Sequence, residues 1–389
     1  MHLRCPACGS ENEADASFCT HCGVFLNGPI PVEHTVGTLY PERRGQNAKK
    51  LIAASVAVLV LISGAMLFVT YSGDADFDIE DNGNEVKVTN TSSGSMHGYR
   101  WIILDEMNYM NNLIISEGDE VVIPLTGEGS FQPGIYRIML VAYNIMGVEK
   151  TEVKRHVING ERVQETEWKY NNKDYTLSYS MTASSMLPYL EGGKKGDIER
   201  WPGNAVNEEL VRRYTDVTSV TALENLAKGL REKLDADNII KETDRINFIM
   251  AFVQYTIGYM EDQSTKGSPE FWRYPAETLF AKVGDCEDVA MLTMTLIREV
   301  FKLYSMDVDV ALVLYWGVKG VVDGHAIAAV ALDKMTFLLS GSKATKGGSI
   351  YCEDDGKTYY VCETTSREWE IGRLGLKYQN LKPDHLITI

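Results

Sequence analysis

Hydrophobic residues are spaced differently in successive stretches of this chain, and each change of spacing predicts a change of element. The run LIAASVAVLVLISGAMLFVTY, residues 51–71, carries no charge, and the uncharged window continues to Gly73. A helix of that length spans a hydrocarbon core of ~30 Å, so the pattern predicts one transmembrane helix rather than a buried core helix. Residues 76–163 switch to short alternating runs. GIYRIMLVAYN is β-rich, and DNGNEVKVTN and EGDEVVIPLTG set turn residues beside short apolar stretches. Regular short strands of this kind predict an all-β, Ig-like sandwich. Past a mixed, Tyr-rich region, ALENLAKGLREKLD and ETDRINFIMAFVQYTIGYM take up helical spacing, with Ile246, Ile249, Met250, Val253 and Ile257 on one stripe. After the loop EDQSTKGSPEFWRYP comes a further helix, EDVAMLTMTLIREVFKLY. VDVALVLYWG, DGHAIAAVALD and KTYYVCETT then read as strands.

Charge gives this order a direction. The 389 residues carry a formal net charge of −16, which argues against a nucleic-acid partner, because phosphate contacts need clustered Lys and Arg. Residues 1–50 balance five basic against five acidic side chains, so the whole excess lies after residue 50. Arg43, Arg44, Lys49 and Lys50 precede the apolar run, and Asp74, Asp76, Asp78, Glu80 and Asp81 follow it. That asymmetry predicts a single-pass protein of the cell membrane, with a cytoplasmic N-terminus and extracytoplasmic C-terminal domains. The run is not read as a cleaved signal peptide, because fifty residues precede it.

The cysteines divide in the same way. CPACG and FCTHCG place Cys5, Cys8, Cys19 and Cys22 in two Cys-x-x-Cys pairs separated by ten residues. Two such knuckles complete a tetrahedral four-sulfur site, which predicts a structural Zn2+ ion; His21 is read as a bystander. A segment this short has no core of its own and depends on the metal to fold. The stretch resembles a zinc ribbon, and it leaves a surface for a cytoplasmic protein partner.

AKVGDCEDVA, residues 281–290, sets a third kind of cysteine at a helix start. Asp285 is the predicted N-cap, Asp288 lies in a capping-box-like position, and Glu287 and Asp288 are read as capping and solvated residues. Cys286 then occupies the first helical turn, where the dipole contributes only ~0.3–1 kcal/mol toward a thiolate. The neighbouring acids oppose ionisation, so a reactive thiol here needs a base. His325 opens one predicted strand and Glu363 closes another. Together these make a Cys-His-acid set, in which imidazole takes the thiol proton and the acid holds its tautomer.

The motifs YPAETLFAKVGDCEDVAMLTMTLI, GHAIAAV and YYVCETT, with FVQYTIGY and FWRYPAETL before them, resemble the transglutaminase-like thiol superfamily. They are similar in particular to its membrane-anchored archaeal and bacterial members. The resemblance implies an α+β papain-like domain over 170–389, with its core at 205–370. It implies Cys286 as nucleophile, His325 as general base and Glu363, where many members have Asp, as the orienting acid. The Cys286 N–H would be one oxyanion donor, and Gln254, Trp272 and Tyr274 are candidates for the second. FDIEDNGNEVKVTN and PGIYRIMLVAYNIMGVEKTEVKRHV resemble, more weakly, a PKD-type module.

The whole chain is thus expected to be multidomain: zinc ribbon 1–27, cytoplasmic linker 28–50, transmembrane helix 51–71, sandwich 76–163 and the thiol domain. The expected function is cleavage of amide bonds in a protein or peptide substrate outside the cell, through an acyl-thioester and without a catalytic cofactor. Hydrolysis is favoured over cross-linking. The alternative is a non-catalytic surface binding or scaffold protein. CEDDGK reads as a hairpin turn that would pair Cys352 near Lys357 or Tyr359, which keeps Cys352 and Cys362 too far apart to bridge.

Overall fold

The computed structural model describes residues 73–107, 114–144, 147–192, 206–215, 221–266, 271–316, 324–339, 351–375, 378 and 381–389, and the backbone of 2–4 and 11–13. The chain divides into two compact units, Met1–Gly73 and Asp74–Ile389. In the first, β1 (His2–Arg4) pairs antiparallel with β2 (Glu11–Glu13). Cys5, Cys8, Cys19 and Cys22, the linker 28–50 and the expected membrane helix 51–71 lie outside the described residues.

The expectation of a transmembrane helix, and of a single-pass membrane location built on it, is corrected. Among the described residues, no helix is long and apolar enough to cross a membrane. The longest described helix, Cys286–Leu303, carries Glu287, Asp288, Arg298, Glu299 and Lys302, and its apolar residues are buried in a protein core.

In the second unit, β3 (Phe77–Asp81), β4 (Glu85–Asn90) and β7 (Glu120–Pro124) form one antiparallel sheet. A second is built from β6 (Ile114–Glu117), β5 (Met96–Asp105), β8 (Gly134–Asn144) and β9 (Glu149–Ile158), in that order. Period-2 alternation turns Val86, Val88, Val121 and Ile123 of the first sheet toward Trp101, Ile103, Tyr136, Ile138 and Leu140 of the second. Phe77 meets Trp101 edge-on, with centroids 5.4 Å apart. Ile135, on the other face of β8, joins the core of the following domain instead.

A long hairpin, β10 (Glu161–Tyr170) and β11 (Lys173–Thr182), leads into that domain. Its helices are α1 (Leu187–Gly192), α2 (Glu208–Thr215), α3 (Thr221–Ala236), α4 (Glu242–Thr256), α5 (Asp262–Lys266), α6 (Pro275–Ala281) and α7 (Cys286–Leu303), followed by α8 (Lys334–Leu339). Two short strands, β12 (Gly258–Tyr259) and β13 (Val283–Gly284), pair in parallel just before α7. The main sheet is antiparallel in the order β16 (Tyr351–Asp354), β17 (Lys357–Cys362), β15 (His325–Ala331), β14 (Val310–Tyr315), β18 (His385–Thr388).

Helix α7 packs on β14 and β15 and is flanked by α2, α3, α4 and α6. Ala326, Ala328, Val330, Tyr360 and Cys362 face this helical layer. Ile327, Ala329, Tyr359 and Val361 face a second cluster with Leu374 and Tyr378. The sheet is therefore covered on both sides, which is why β14 is apolar at every position rather than at alternate ones.

The helix read as 242–260 stops at Thr256, because Ile257 turns extended and the chain zips onto 282–284. Gly258 N–H donates to the Lys282 carbonyl at 2.9 Å, and Met260 N–H to the Gly284 carbonyl at 3.0 Å. The β16–β17 turn has Asp355 at φ 44° and Gly356 at φ 74°, the left-handed pair that a two-residue hairpin requires. It sets Cys352 opposite Tyr359, with Cys362 three residues further along, and both thiols are free.

Across the first hairpin, Trp168 stacks on Tyr175 with centroids 5.4 Å apart, and it meets Phe248 and Phe252 of α4 edge-on. Trp168→Ala should therefore lower stability by about 3–5 kcal/mol, the usual cost of a buried aromatic truncation, as read by denaturant unfolding of the full chain.

Candidate active site

The residue that starts α7 is placed by contacts made well away from it. Gly284 lies so close to Asp288 that a Cβ there would sit 2.7 Å from the Asp288 Cβ, so glycine is required sterically. Asp288 in turn accepts the backbone N–H of Arg273 at 2.7 Å and a guanidinium N–H of the same residue. The Arg273 guanidinium is fully buried and also reaches Asp262 Oδ1 at 2.7 Å and the Thr265 hydroxyl. Asp262 Oδ2 closes the loop by accepting the Phe271 N–H.

This network corrects the reading of the acids as capping and solvated groups. Asp285 occupies the N-cap position but its side chain makes no capping hydrogen bond. Glu287 is 4% exposed and Asp288 is fully buried. Burial, followed by mutual repulsion with Asp288 and Glu287, pushes the Asp285 carboxyl up to about 12. Burial and Asp288 push Glu287 up to about 8, and burial and Asp288 push Asp262 up to about 6. Burial raises Asp288 as well, against the pull of Arg273.

Cys286 is half-buried and its thiol donates to Glu287 Oε2 at 3.4 Å. Burial raises the thiol well above its ordinary range, and Glu287 and Asp285 push in the same direction. The backbone N–H of Ala326 pulls in the opposite direction. The thiol therefore meets β15 at the residue next to His325.

His325 and Glu363 are brought together directly, with Nε2 and Oε2 2.8 Å apart. The other carboxylate oxygen of Glu363 accepts the Thr365 N–H at 2.9 Å and the Thr365 hydroxyl at 2.6 Å. Burial alone would raise Glu363, but the hydrogen bonds and charge from His325, with those from Thr365, hold it below the usual carboxylate value. An ionised Glu363 accepts from His325 Nε2–H, so Nδ1 is the ring nitrogen that the acid does not engage. Tyr378 stacks on the imidazole, with centroids 4.7 Å apart.

The strand carrying the acid ends at Cys362, so Glu363 stands one residue beyond it and is held by side chains from the helices. Gln254 Nε2 donates to the Glu363 carbonyl at 2.8 Å and to that of Trp369 at 2.9 Å. Both amide hydrogens are thereby used, which removes Gln254 as a second oxyanion donor and makes it a clamp on the acid. Asn247 accepts the Ile371 N–H, and Thr293 of α7 donates to Thr364. Trp272 and Tyr274 are buried, and their rings lie against Tyr214.

Sequence reasoning missed Arg273, Asp262, Thr365 and Tyr378. The Thr-Thr after Glu363 was the one local signal, since each hydroxyl turns out to tie the acid segment down. The other three lie far from the motif residues they support and carry no spacing signature.

Two comparisons bear on these residues. Residues 2–26 match the family model of a zinc-ribbon domain, and residues 222–364 match that of a transglutaminase-like domain. No curated protein and no solved structure matches the chain. The chain therefore contains an N-terminal zinc ribbon and a transglutaminase-like domain. The second match spans Cys286, His325 and Glu363 and supports a cysteine-based thiol enzyme or a scaffold of that superfamily. For the first, the donor set of four thiols in two Cys-x-x-Cys pairs fits a zinc ion: Cys5, Cys8, Cys19 and Cys22 would hold it.

The lowered Glu363 makes a prediction about acid. Its folded pKa lies below the unfolded value of ~4.3, so the unfolded chain binds more protons and the stabilisation is present above that value. It is lost as pH falls through the folded pKa. A thermal-midpoint profile between pH 3 and 5 should accordingly be shallower for Glu363→Gln than for the natural chain; parallel profiles would contradict the assignment.

Proposed function

We propose that the transglutaminase-like domain is a cysteine enzyme that opens amide bonds through an acyl-thioester and passes the acyl group to water. The observation that carries this reading is the His325–Glu363 pair, locked by Thr365 and Gln254, with His325 on β15, a strand against which the thiol-bearing α7 packs. In this reading His325 Nδ1 takes the Cys286 proton as sulfur attacks the amide carbonyl. The Cys286 N–H is one donor to the resulting oxyanion. The imidazolium then returns the proton to the leaving amine, and the thioester remains on Cys286. Water, deprotonated by the same nitrogen, releases the acid and regenerates the thiol. Glu363 stays ionised throughout and stabilises the imidazolium. An amine in place of water would give transamidation with the same three residues.

A second reading, a non-catalytic binding or scaffold domain, is favoured by the setting of Cys286: burial, with Glu287 and Asp285 beside it, raises its thiol well above the ordinary range. The seven-stranded sandwich is read as a PKD-type spacer in either case. Zinc in the N-terminal ribbon is proposed to be structural, because so short a segment folds on its metal.

Iodoacetamide labelling of the full chain at pH 7.5, read peptide by peptide in a mass spectrometer, separates the two readings. The enzyme reading expects Cys286 to label at least tenfold faster than Cys352 and Cys362, and His325→Ala to abolish the difference. It also expects Cys286→Ala to lose at least a thousandfold in peptide-amide hydrolysis, a loss typical of a missing nucleophile. If Cys286 labels no faster than the other two and its removal changes nothing, the scaffold reading stands. Separately, chelation should release about one zinc per chain and speed proteolysis within residues 1–50; an unchanged cleavage rate would remove the structural role.

A further inference from the structure

Two buried carboxamides on one face of α4 each leave half of their hydrogen-bonding capacity unused. Asn247 and Gln254 are two helical turns apart and only 7% and 6% exposed. Gln254 Nε2 donates both hydrogens, to the Glu363 and Trp369 carbonyls, and Asn247 Oδ1 accepts the Ile371 N–H. Among the described residues, nothing donates to Gln254 Oε1 and nothing accepts from Asn247 Nδ2. Neither of these atoms is sealed in the core. Both residues, with Ala251 between them, line one cavity of about 400 Å3. An unused acceptor and an unused donor on the wall of an open cavity are the kind of groups that fix a ligand's orientation.

The remaining walls decide what kind of ligand fits. Tyr170 at the end of β10, Tyr255 of α4 and Trp369 contribute half-buried rings. The Arg367 guanidinium lies over Tyr255, 4.8 Å from the ring centre. Trp369 is pinned through its carbonyl by Gln254, while its ring nitrogen has no partner among the described residues. Glu368 holds φ at 66°, a left-handed conformation that a glutamate adopts at a cost, and so turns the chain just before Trp369. Lys169 and Arg373 are matched by Glu368 and Glu370, so the lining carries no net charge to select an ion. A hydroxyl both donates and accepts, so it can meet either unused carboxamide atom, and the C–H face of a sugar ring lies flat on an aromatic side chain.

We propose that this cavity, walled by α4, the β10–β11 turn and the segment 368–373, is a binding site for a neutral saccharide. Asn247 Nδ2 donates to it, Gln254 Oε1 accepts from it, and Trp369 is the platform on which a sugar ring stacks. Asn171 and Asn172, the exposed left-handed pair of the β10–β11 turn, line the same cavity and add two more carboxamides. The site uses none of Cys286, His325 or the Glu363 carboxylate, and it does not rest on the chemistry proposed for them. It shares Gln254 with the acid segment, so a bound sugar lies against the clamp that holds the Glu363 backbone.

Binding is tested without reference to catalysis, by saturation-transfer NMR and calorimetry on the full chain at pH 7.5 with cellobiose, maltotriose and N-acetyllactosamine. At least one of these sugars should bind with millimolar affinity or tighter. Trp369→Ala should weaken it at least tenfold, with Trp369→Leu in its place if circular dichroism shows the alanine variant unfolded. Asn247→Asp keeps the acceptor for Ile371 and removes the donor, and should weaken binding at least fivefold. Tyr351→Ala, which removes an exposed ring outside the cavity, should retain full affinity. So should Cys286→Ala, which separates this site from the proposed chemistry. Absence of binding by all three sugars up to about 10 mM overturns the proposal. So does an affinity left unchanged in the Trp369 and Asn247 variants. Tighter capture of acetyl-tetraalanine-amide than of every sugar, lost in the same variants, would make the cavity a peptide site and overturn it equally.

Discussion

The buried guanidinium of Arg273 is the interaction on which the candidate site depends. It is fully enclosed, hydrogen-bonded to Asp262 and Asp288, and joined through its own backbone N–H to Asp288. Asp288 lies in the first turn of α7 and presses against Gly284. Cys286 sits between those two residues in the chain, so the position of its sulfur follows from that grip. Removing one partner of a buried pair leaves an uncompensated charge and costs about 3–5 kcal/mol. The geometry of the thiol is therefore set by electrostatics in a region of low dielectric, where few alternative arrangements are tolerable.

The acid side of the site is held by a different means. Glu363 has left the sheet, and neutral hydrogen bonds from α4 and α7 take over where the ladder ends. Gln254, Asn247 and Thr293 each anchor one point of the segment 363–371. Each such bond is worth only ~1 kcal/mol net, but leaving a buried partner unmade would cost more, so the set is self-enforcing. The two helices thus deliver both halves of the site: α7 starts with the thiol, and α4 and α7 hold the carboxylate that orients His325.

Legibility in the sequence followed the range of the determining contacts. The β16–β17 hairpin could be read from Asp355-Gly356, because a two-residue turn is decided by its own backbone. The apolar stripe of α4 could be read as well, although α4 is buried on nearly every face and extends its polar residues Asn247 and Gln254 into the core rather than to solvent. Glu287 and Asp288 were misread for the same reason. By local rules, acids at a helix start cap or face water, and nothing within four residues says that distant segments, Arg273 among them for Asp288, will bury them. The long apolar run 51–71 lies outside the described residues, among which no helix is long and apolar enough to cross a membrane.

Taken by itself, the sequence determined which residue types stand in which order: two paired-cysteine knuckles, a run of short strands, and a thiol, an imidazole and a carboxylate each at an element boundary. Only the tertiary structure decided which of these meet and in what state. It put Glu363 on His325, turned Gln254 from an oxyanion candidate into a clamp, and shut Asp262 and Asp288 away with one guanidinium. The reason is desolvation. The sequence names the ionisable groups, but burial sets the cost of their charges, and burial exists only once distant segments have closed over them.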